Sequence, residues 1–408
     1  MEKIVKNIFV SWTSNNKVAI EKYMNAISKL TKLSYYLSDY DCIGDFEQWF
    51  KDEINNAPFF LVYITKESLD KEFVKKEVEE IIAKYKKYNY KFITFISEVT
   101  SKKINQLDKD HHFYKLINEC KVSGVFTENK TFDETIKEIS EKIEIMTKQY
   151  DLLEYSNRLE KDLDRFKLLA NTSFQSLSNF FTQRVLIDEF EQQEVDYDNL
   201  INKKKVLIRG EAGSGKSLYI QHLASILNKR SNVFILENNE VQEIISSNSS
   251  IISYLYKEIK ATLLQEDDFK ILMKRSTNYL MIEGIDEVIS NNKIKLLEKI
   301  NQFTNEYDNF NIIFTSRNNE DINDAFKVKL LPLDEEKIQE TAKKYICFYS
   351  NNEEKQHNFY LALNDINEEI KNNPLLLSQL AYIYSITNTL PNNKLDLYDE
   401  ITSLFVIL

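Results

Sequence analysis

The chain has 408 residues, of which only six are glycine and four are proline. Average usage would give about 29 glycines and about 20 prolines, so collagen-like, Gly/Ser-linker and Pro-rich disordered classes are excluded. Hydrophobic residues make up 43% and aromatic residues 12%, which is enough for packed cores. At roughly 150 residues per domain, the length predicts two or three domains. A net charge of −11 without a large basic cluster argues against a nucleic-acid surface.

The cysteines and histidines form no pattern that would bind a metal or build a disulfide framework. The three cysteines lie far apart, and the four histidines have no paired metal spacing. His111 and His112 are adjacent in a polar stretch, so we expect both at the surface. No apolar run approaches the length of about 18 residues that spans a bilayer, and the first residues predict a strand rather than a signal peptide. We expect a cytoplasmic protein without a membrane or nucleic-acid partner.

Residues 1–147 alternate short β-rich apolar runs with helical patterns. Strands are predicted over residues 8–12, 33–37, 59–64 and 92–96. Helices are predicted over residues 17–30, after Asp45, around residues 74–85 and over residues 132–146. This alternation predicts a doubly wound parallel sheet, whose ligands bind at the carboxyl ends of the strands.

The remaining sequence predicts three further parts. Residues 148–183 are charged and lack glycine and proline, which predicts a helical spacer. Residues 184–345 predict a second α/β domain, and residues 346–408 an all-helical subdomain in which Pro374 and Pro391 mark helix starts. The fold class is therefore predicted to be α/β with a helical C-terminal part. Because the sequence stops on four apolar residues, we expect a further element that covers them.

A phosphate-binding pattern lies between a predicted strand over 205–208 and a predicted helix over 218–227. The intervening residues match GxxxxGK[ST] in the strand–loop–helix context that the pattern requires. Glycines let backbone N–H groups turn toward an anion, and the helix N-terminus adds partial positive charge. We expect the following residues to bind ATP or ADP: Gly210, Glu211, Ala212, Gly213, Ser214, Gly215, Lys216 and Ser217. Lys216 is expected to reach the β- and γ-phosphates, and Ser217 to ligate Mg²⁺.

Charged residues follow two later strands of the same predicted domain. The strand over 279–282 ends in Glu283, and Asp286 and Glu287 follow within the same segment. Acidic groups at such a strand end can hold Mg²⁺ and orient a water. The strand over 311–316 delivers Arg317 to the same region, near the γ-phosphate.

Together, the segments IRGEAGSGKS, MIEGIDEV, IIFTSR and NNPLLLSQLAYIY resemble the NACHT-type branch of the STAND P-loop NTPases over about residues 180–408. The resemblance implies that Asp286 and Glu287 polarise the attacking water and that Arg317 senses the γ-phosphate. It also implies that Pro374 contacts the region of the nucleotide base. Glu283 stands where the family usually has Asp, so the resemblance implies that Glu283 binds Mg²⁺ and that hydrolysis is slow.

Residues 1–147 resemble a TIR domain (Toll/interleukin-1 receptor homology), which has a flavodoxin-like fold. The matching segments are the IFVSW strand, the DYDCIGDF loop with Gly44, and residues 73–78. In NAD-cleaving members a glutamate lies four residues after an aromatic residue on the helix that follows the third strand. The resemblance therefore implies that Glu77 cleaves NAD⁺ and that Phe73 contacts it. A carboxylate there could hold a ribose hydroxyl and stabilise an oxocarbenium-like centre.

Two residues of the first strand are expected to line the same pocket, namely Ser11 and Trp12. Alternatives remain open at this point. The helix that carries Glu77 is rich in charge, so Glu77 is also consistent with a solvated face. Core packing accounts for Trp12 as well as substrate contact does.

The combination resembles bacterial TIR–NACHT anti-phage receptors. It implies an immune switch in which ATP binding and self-association through both domains activate NAD⁺ hydrolysis, in response to a trigger that the sequence does not identify. A second hypothesis is a non-catalytic TIR adaptor whose assembly is gated by ATP or ADP. A third is a plain ATPase with an accessory α/β domain.

Overall fold

The computed structural model describes residues 8–37, 57–88, 92–167, 173–247, 249–318, 320 and 322–407. The chain divides into two compact units. The first comprises residues 1–151 and 262–264, and the second comprises residues 152–261 and 265–408. The predicted helix after Asp45 and the loop with Gly44 lie outside the described residues.

The first unit is built on a parallel sheet. Its strands are β1 (Ile8–Ser11), β2 (Tyr35–Leu37), β3 (Phe59–Ile64), β4 (Ile93–Ser97) and β5 (Val125–Phe126). They lie in the order β2-β1-β3-β4-β5, and all neighbours are parallel. Every residue of the central strand β3 is buried, as expected for a parallel strand covered on both faces. The order is that of flavodoxin-like doubly wound sheets, and the predicted fold class is confirmed.

Helices cover this sheet. They are α1 (Lys17–Thr31), α2 (Glu72–Tyr88), α3 (Ser101–Asn105), α4 (His112–Tyr114) and the part of α5 (Phe132–Leu163) up to residue 151, and a π-helical turn over Lys115–Glu119 follows α4. On α2, Val74, Val78 and Ile81 are buried at the spacing of one helical face.

The sequence prediction is wrong at two places around α5. Residues 132–146 and the first part of the spacer form a single helix, because neither glycine nor proline interrupts them. The spacer then stops being helical, and β6 (Arg165–Phe166) pairs with β7 (Gln175–Ser176) in an antiparallel arrangement. Asp164 accepts hydrogen bonds from the Ser176 hydroxyl at 2.8 Å and the Leu177 N–H at 3.1 Å. These side-chain bonds favour the turn over a continued helix.

Two residues of the first unit lie in buried or closely packed positions that the sequence did not indicate. His112 was expected at the surface but is 4% exposed, with its ring centroid 4.3 Å from that of His111 and 4.2 Å from that of Phe113. Gly124 lies against Phe95, and a Cβ atom at this position would be 2.3 Å from the ring. Only a glycine fits this close approach.

The second unit contains a six-stranded sheet. Its strands are β8 (Leu186–Asp188), β9 (Lys205–Arg209), β10 (Asn232–Leu236), β11 (Asn278–Ile282), β12 (Phe310–Ser316) and β13 (Phe326–Leu330). The order is β10-β11-β12-β9-β13-β8, and β8 alone among these strands is antiparallel to its neighbour. Because β12 lies between β9 and β11, the carboxyl ends of these three strands are adjacent.

Helices connect these strands and then form the C-terminal part. The connecting helices are α6 (Tyr197–Ile201), α7 (Lys216–Leu227), α8 (Asn238–Ser246), α9 (Ile251–Ile259), α10 (Glu266–Met273) and α11 (Ser290–Glu306). The C-terminal helices are α12 (Glu335–Tyr349), α13 (Glu353–Leu363), α14 (Glu368–Lys371), α15 (Pro374–Thr387) and α16 (Lys394–Ile407). The C-terminal helices share one buried apolar cluster, which includes Ala342, Leu377, Leu380 and Leu397. Among the described residues, no helix combines the length and the apolar character that a bilayer span would need.

Candidate functional site

The loop between β9 and α7 has the conformation of a phosphate-binding loop. β9 ends at Arg209 and α7 begins at Lys216, so the predicted strand–loop–helix arrangement is present. Gly213 and Gly215 have φ angles of +75° and +89°. Side chains disfavour this left-handed region, which explains why a sequence so poor in glycine keeps glycine here.

Lys216 is folded back onto the loop. Its ammonium group donates hydrogen bonds to Gly210 O at 2.6 Å and to Glu211 O at 2.9 Å. Burial lowers the pKa of Lys216, and the nearby Arg317 lowers it further, while three neighbouring carboxylates oppose the shift. A charged ammonium hydrogen-bonded to neutral carbonyl groups can exchange them for phosphate oxygens, which bind it more strongly.

The carboxylate of Glu283 lies directly after β11 and beside the first turn of α7. The Ser217 hydroxyl is hydrogen-bonded to it. Burial raises the pKa of Glu283, and the carboxylates of Glu237 and Glu287 raise it further, so this part of the site concentrates negative charge.

This donor set fits Mg²⁺, which prefers hard oxygen ligands. The part of the chain that the structure describes holds no group of three His, Cys, Asp or Glu side chains that could bind a metal by themselves. Ser217 and Glu283 would thus supply the protein ligands, and phosphate and water the others, as is usual for Mg²⁺ at a phosphate site.

The remaining predicted residues follow β11 and β12 and lie beside the loop between β9 and α7. Gly284, at φ +63°, turns the chain after β11, and its N–H donates to the Thr315 hydroxyl at 2.9 Å. Asp286 accepts a hydrogen bond from the Arg317 N–H at 3.1 Å, and the Arg317 guanidinium forms an ion pair with Glu287. The structure therefore brings together the acidic and basic residues that the sequence places far apart. In this state Arg317 is held by Glu287, so contact with a phosphate would require an exchange of partners.

A cavity of about 1240 Å³ opens over the P-loop. Gly213, Gly215, Lys216, Ser217 and Pro374 line it, together with the charged residues after β11 and β12. Its volume is ample for a nucleotide, since pockets for small molecules are typically about 300–1,000 Å³.

Several lining residues were missed by the sequence analysis. They include Arg165, Phe166, Lys167, Glu237, Asn238, Asn239, Tyr345, Ser378 and Gln379. Glu237 follows the carboxyl end of β10, so the rule that ligands bind at strand ends could have found it. Arg165, Phe166 and Lys167 belong to a segment that was expected to be helical, and no signal in the sequence connects them with the P-loop.

The first unit brings together two of the residues predicted to act on NAD⁺. The Ser11 hydroxyl, at the end of β1, donates a hydrogen bond to the Glu77 carboxylate on α2, and both side chains are fully buried. Trp12 follows Ser11 and is 2% exposed, whereas Phe73 is half-buried. Glu77 thus does not belong to the solvated face of α2, unlike the exposed Glu72, Glu79 and Glu80. The burial of Trp12 accords with core packing, and its contact with a substrate stays a prediction.

No protein-family model matches the chain, and no curated protein matches it. Solved structures with partial similarity include a variant of Thermotoga maritima RuvB, at 11% identity and a TM-score of 0.27 over 49% of this chain and 62% of RuvB. Domain III of Thermotoga maritima DnaA matches at 13% identity and a TM-score of 0.31, over 50% of this chain and 86% of that domain. C. elegans PCH-2 matches at 16% identity and a TM-score of 0.30, over 52% of this chain and 64% of PCH-2. The chain spans less than two thirds of the length of RuvB and of PCH-2.

The second unit carries charged groups and a glycine-containing loop at one edge of its sheet. A P-loop joins β9 to α7, and the acidic and basic groups that a nucleotide requires follow the adjacent strands β11 and β12. This arrangement can hold a phosphate group together with a bound Mg²⁺.

Proposed function

We propose that the second unit binds ATP with Mg²⁺ and acts as a slow, nucleotide-controlled switch. The observation that carries the proposal is the convergence of Lys216, Ser217, Glu283 and Arg317 around one cavity at the carboxyl ends of β9, β11 and β12. Lys216 would neutralise the β- and γ-phosphates, and Ser217 with Glu283 would hold Mg²⁺. When bound, Mg²⁺ neutralises charge that develops on the phosphate oxygens.

The arrangement supports slow rather than rapid turnover. Glu287 is one of two residues proposed to polarise the attacking water, yet its carboxylate is paired with Arg317. Until that ion pair opens, the Glu287 carboxylate is engaged and Arg317 is not available to the γ-phosphate. We infer that Asp286 and Glu287 orient water only after nucleotide binding has drawn Arg317 away.

We further propose that the first unit hydrolyses NAD⁺. In this reaction the bond between ribose C1′ and the nicotinamide nitrogen breaks, and its electron pair leaves with nicotinamide. A water oxygen then bonds to C1′ and releases a proton. The carboxylate of Glu77 would hold a ribose hydroxyl and stabilise the oxocarbenium-like centre, while Ser11 would orient that carboxylate and Trp12 and Phe73 would contact the substrate. The hydrogen bond from Ser11 to Glu77 at the carboxyl end of β1 supports this assignment.

Joined in one chain, the two activities would form an immune switch. ATP binding and self-association would activate NAD⁺ hydrolysis in bacterial anti-phage defence, in response to a phage-derived trigger. The full burial of Glu77 favours a second candidate, namely a non-catalytic adaptor in which Ser11 and Glu77 merely stabilise the fold.

Two variants test these proposals separately. Lys216→Ala should abolish ATP binding in isothermal titration calorimetry, because the variant lacks the ammonium group that neutralises the phosphates. ATP binding by Lys216→Ala with the affinity of wild type would refute the nucleotide site.

Glu77→Gln should abolish NAD⁺ hydrolysis, measured as nicotinamide release by the full chain at high concentration with ATP. Glu79→Gln is the matched control, because Glu79 is exposed on the same helix and should leave the rate unchanged. NAD⁺ hydrolysis by Glu77→Gln at the wild-type rate, or none by wild type, would favour the adaptor.

A further inference from the structure

Three successive carbonyl groups of the P-loop accept hydrogen bonds from outside the loop. The donor–acceptor pairs are Asn373 Nδ2 to Ala212 O at 2.9 Å, Leu375 N–H to Gly213 O at 3.3 Å, and Arg184 Nη1 to Ser214 O at 2.5 Å. None of these donors belongs to the phosphate-binding pattern itself. Asn373 and Leu375 flank the start of α15, and Arg184 precedes β8.

The Arg184 side chain is buried within the second unit. The residue is 7% exposed, and its guanidinium also donates a hydrogen bond to the carbonyl of Leu331, which follows β13. Burial lowers its pKa to about 10, so the group remains charged at neutral pH. A Cβ atom at Gly215 would lie 3.1 Å from Nη1, which shows how closely the guanidinium approaches the loop.

A hydrogen bond to a peptide carbonyl also fixes the direction of the N–H group on the other side of that peptide. A trans peptide group is planar, and its C=O and N–H bonds point in opposite directions. Holding the Ser214 carbonyl therefore fixes the direction of the Gly215 N–H, and holding the Ala212 carbonyl fixes that of the Gly213 N–H. Anion binding requires such N–H groups to converge, and glycine peptides rotate readily when nothing restrains them.

We propose that Arg184 and Asn373 are positioning residues for the nucleotide phosphates. Neither contacts the nucleotide; each holds a P-loop carbonyl so that the opposite N–H faces the β-phosphate. The proposal rests on the proposed nucleotide-binding function and adds two residues to that site. It also makes the first turn of α15 part of the phosphate site, since Asn373 caps that helix by accepting hydrogen bonds from Leu375 N–H and Leu376 N–H.

The experiment compares the affinities of ATP, ADP and AMP for the full chain by competition against a fluorescent ADP analogue. Arg184→Met keeps the length and apolar stem of the side chain but removes its donors. We expect the affinities for ATP and ADP to fall about tenfold, as for the loss of one charge-assisted hydrogen bond, and that for AMP to stay unchanged. AMP lacks the β-phosphate, so a defect of loop geometry spares it.

Arg209→Met is the matched control. It removes the same charge from the last residue of β9, where Arg209 is paired with Glu189 at 2.5 Å and donates nothing to the P-loop carbonyls. Its nucleotide affinities should equal those of wild type.

A second variant keeps the proposal testable if Arg184→Met fails to fold. In Asn373→Ser the shorter side chain can still cap α15 but cannot reach Ala212 O. It should weaken ATP and ADP binding and spare AMP, as Arg184→Met does.

The outcomes separate this proposal from the one on which it rests. If wild type binds no ADP, the nucleotide site itself is wrong. If wild type binds ADP and Lys216→Ala does not, the site stands, and the positioning role is overturned by unchanged ADP binding in the folded variants. Equal loss for ATP, ADP and AMP would also overturn it, because that pattern indicates general damage to the cavity.

Discussion

Asp151 offers the sharpest test of how the first unit is stabilised. The residue lies on α5 and is 3% exposed. Its Oδ2 atom accepts three backbone N–H groups, from Thr262 at 3.0 Å, Leu263 at 2.7 Å and Leu264 at 2.7 Å. Its Oδ1 atom accepts the Thr262 hydroxyl at 2.9 Å. One carboxylate therefore satisfies the whole segment 262–264.

The structure sets the cost of Asp151→Ala. The Leu264 N–H is buried, and leaving such a donor without an acceptor costs about 1–3 kcal/mol. The N–H groups of Thr262 and Leu263 are more accessible, so water can replace the carboxylate and each loses about 0.5–1.5 kcal/mol. We expect a total near 4 kcal/mol, which for a unit of this size lowers the unfolding midpoint by about 8–16 °C.

The assay is thermal unfolding of the full chain, with two milder variants as references. Asp151→Asn keeps one oxygen as acceptor for the three backbone N–H groups but loses the charge and the second acceptor oxygen, so its midpoint should fall by less than half as much. Thr262→Val removes a single hydroxyl and should cost about 1 kcal/mol. If Asp151→Ala unfolds no earlier than Thr262→Val, the carboxylate does not organise this segment and the reasoning fails.

Two predictions concern pH. Burial raises the pKa of Glu283, and Mg²⁺ binds only the ionised carboxylate, so the Mg²⁺-dependent affinity for ATP should rise with pH through that raised pKa. Glu283→Gln should bind Mg²⁺–ATP more weakly, and its affinity should not change with pH. A pH dependence as steep as that of wild type would assign the proton to another group. Burial, with His111 and Lys75 nearby, lowers the pKa of His112 to about 3, against about 6.5 when unfolded. Between these values the unfolded chain binds the extra proton, so stability should fall on acidification, by about 1.6 kcal/mol from pH 6.5 to pH 5. Urea unfolding of His112→Gln over this range should show a weaker pH dependence, and an unchanged slope would contradict the assignment.

Local patterns were enough for much of the fold. The continuous apolar run of β3 and the apolar stripe of α2 each predict their element correctly. Burial of both faces of a strand leaves an unbroken apolar run, and burial of one face of a helix leaves a helical period. The P-loop could also be predicted from the sequence, because its glycines, lysine and serine lie within one short segment and phosphate binding needs each of them. The acidic group after β11 and Arg317 after β12 followed from the same rule about strand ends.

Prediction failed where the outcome depended on residues distant in sequence. The spacer was expected to be helical to residue 183, but Asp164 bonds to Ser176 and Leu177 and ends the helix earlier. His112 was expected at the surface but is buried, and Lys75, from helix α2 far away in the sequence, lies near enough to lower its pKa.

The sequence by itself determined the strands β1 to β4, β9, β11 and β12 and the chemistry of the P-loop, because these depend on neighbours along the chain. Only the tertiary structure decided that Glu77 is buried against Ser11, that Arg317 is paired with Glu287, and that Arg184 and Asn373 hold the P-loop carbonyls. Each of these contacts joins segments far apart in sequence. Their partners are chosen by how the elements pack, and packing leaves no local period by which they could be recognised.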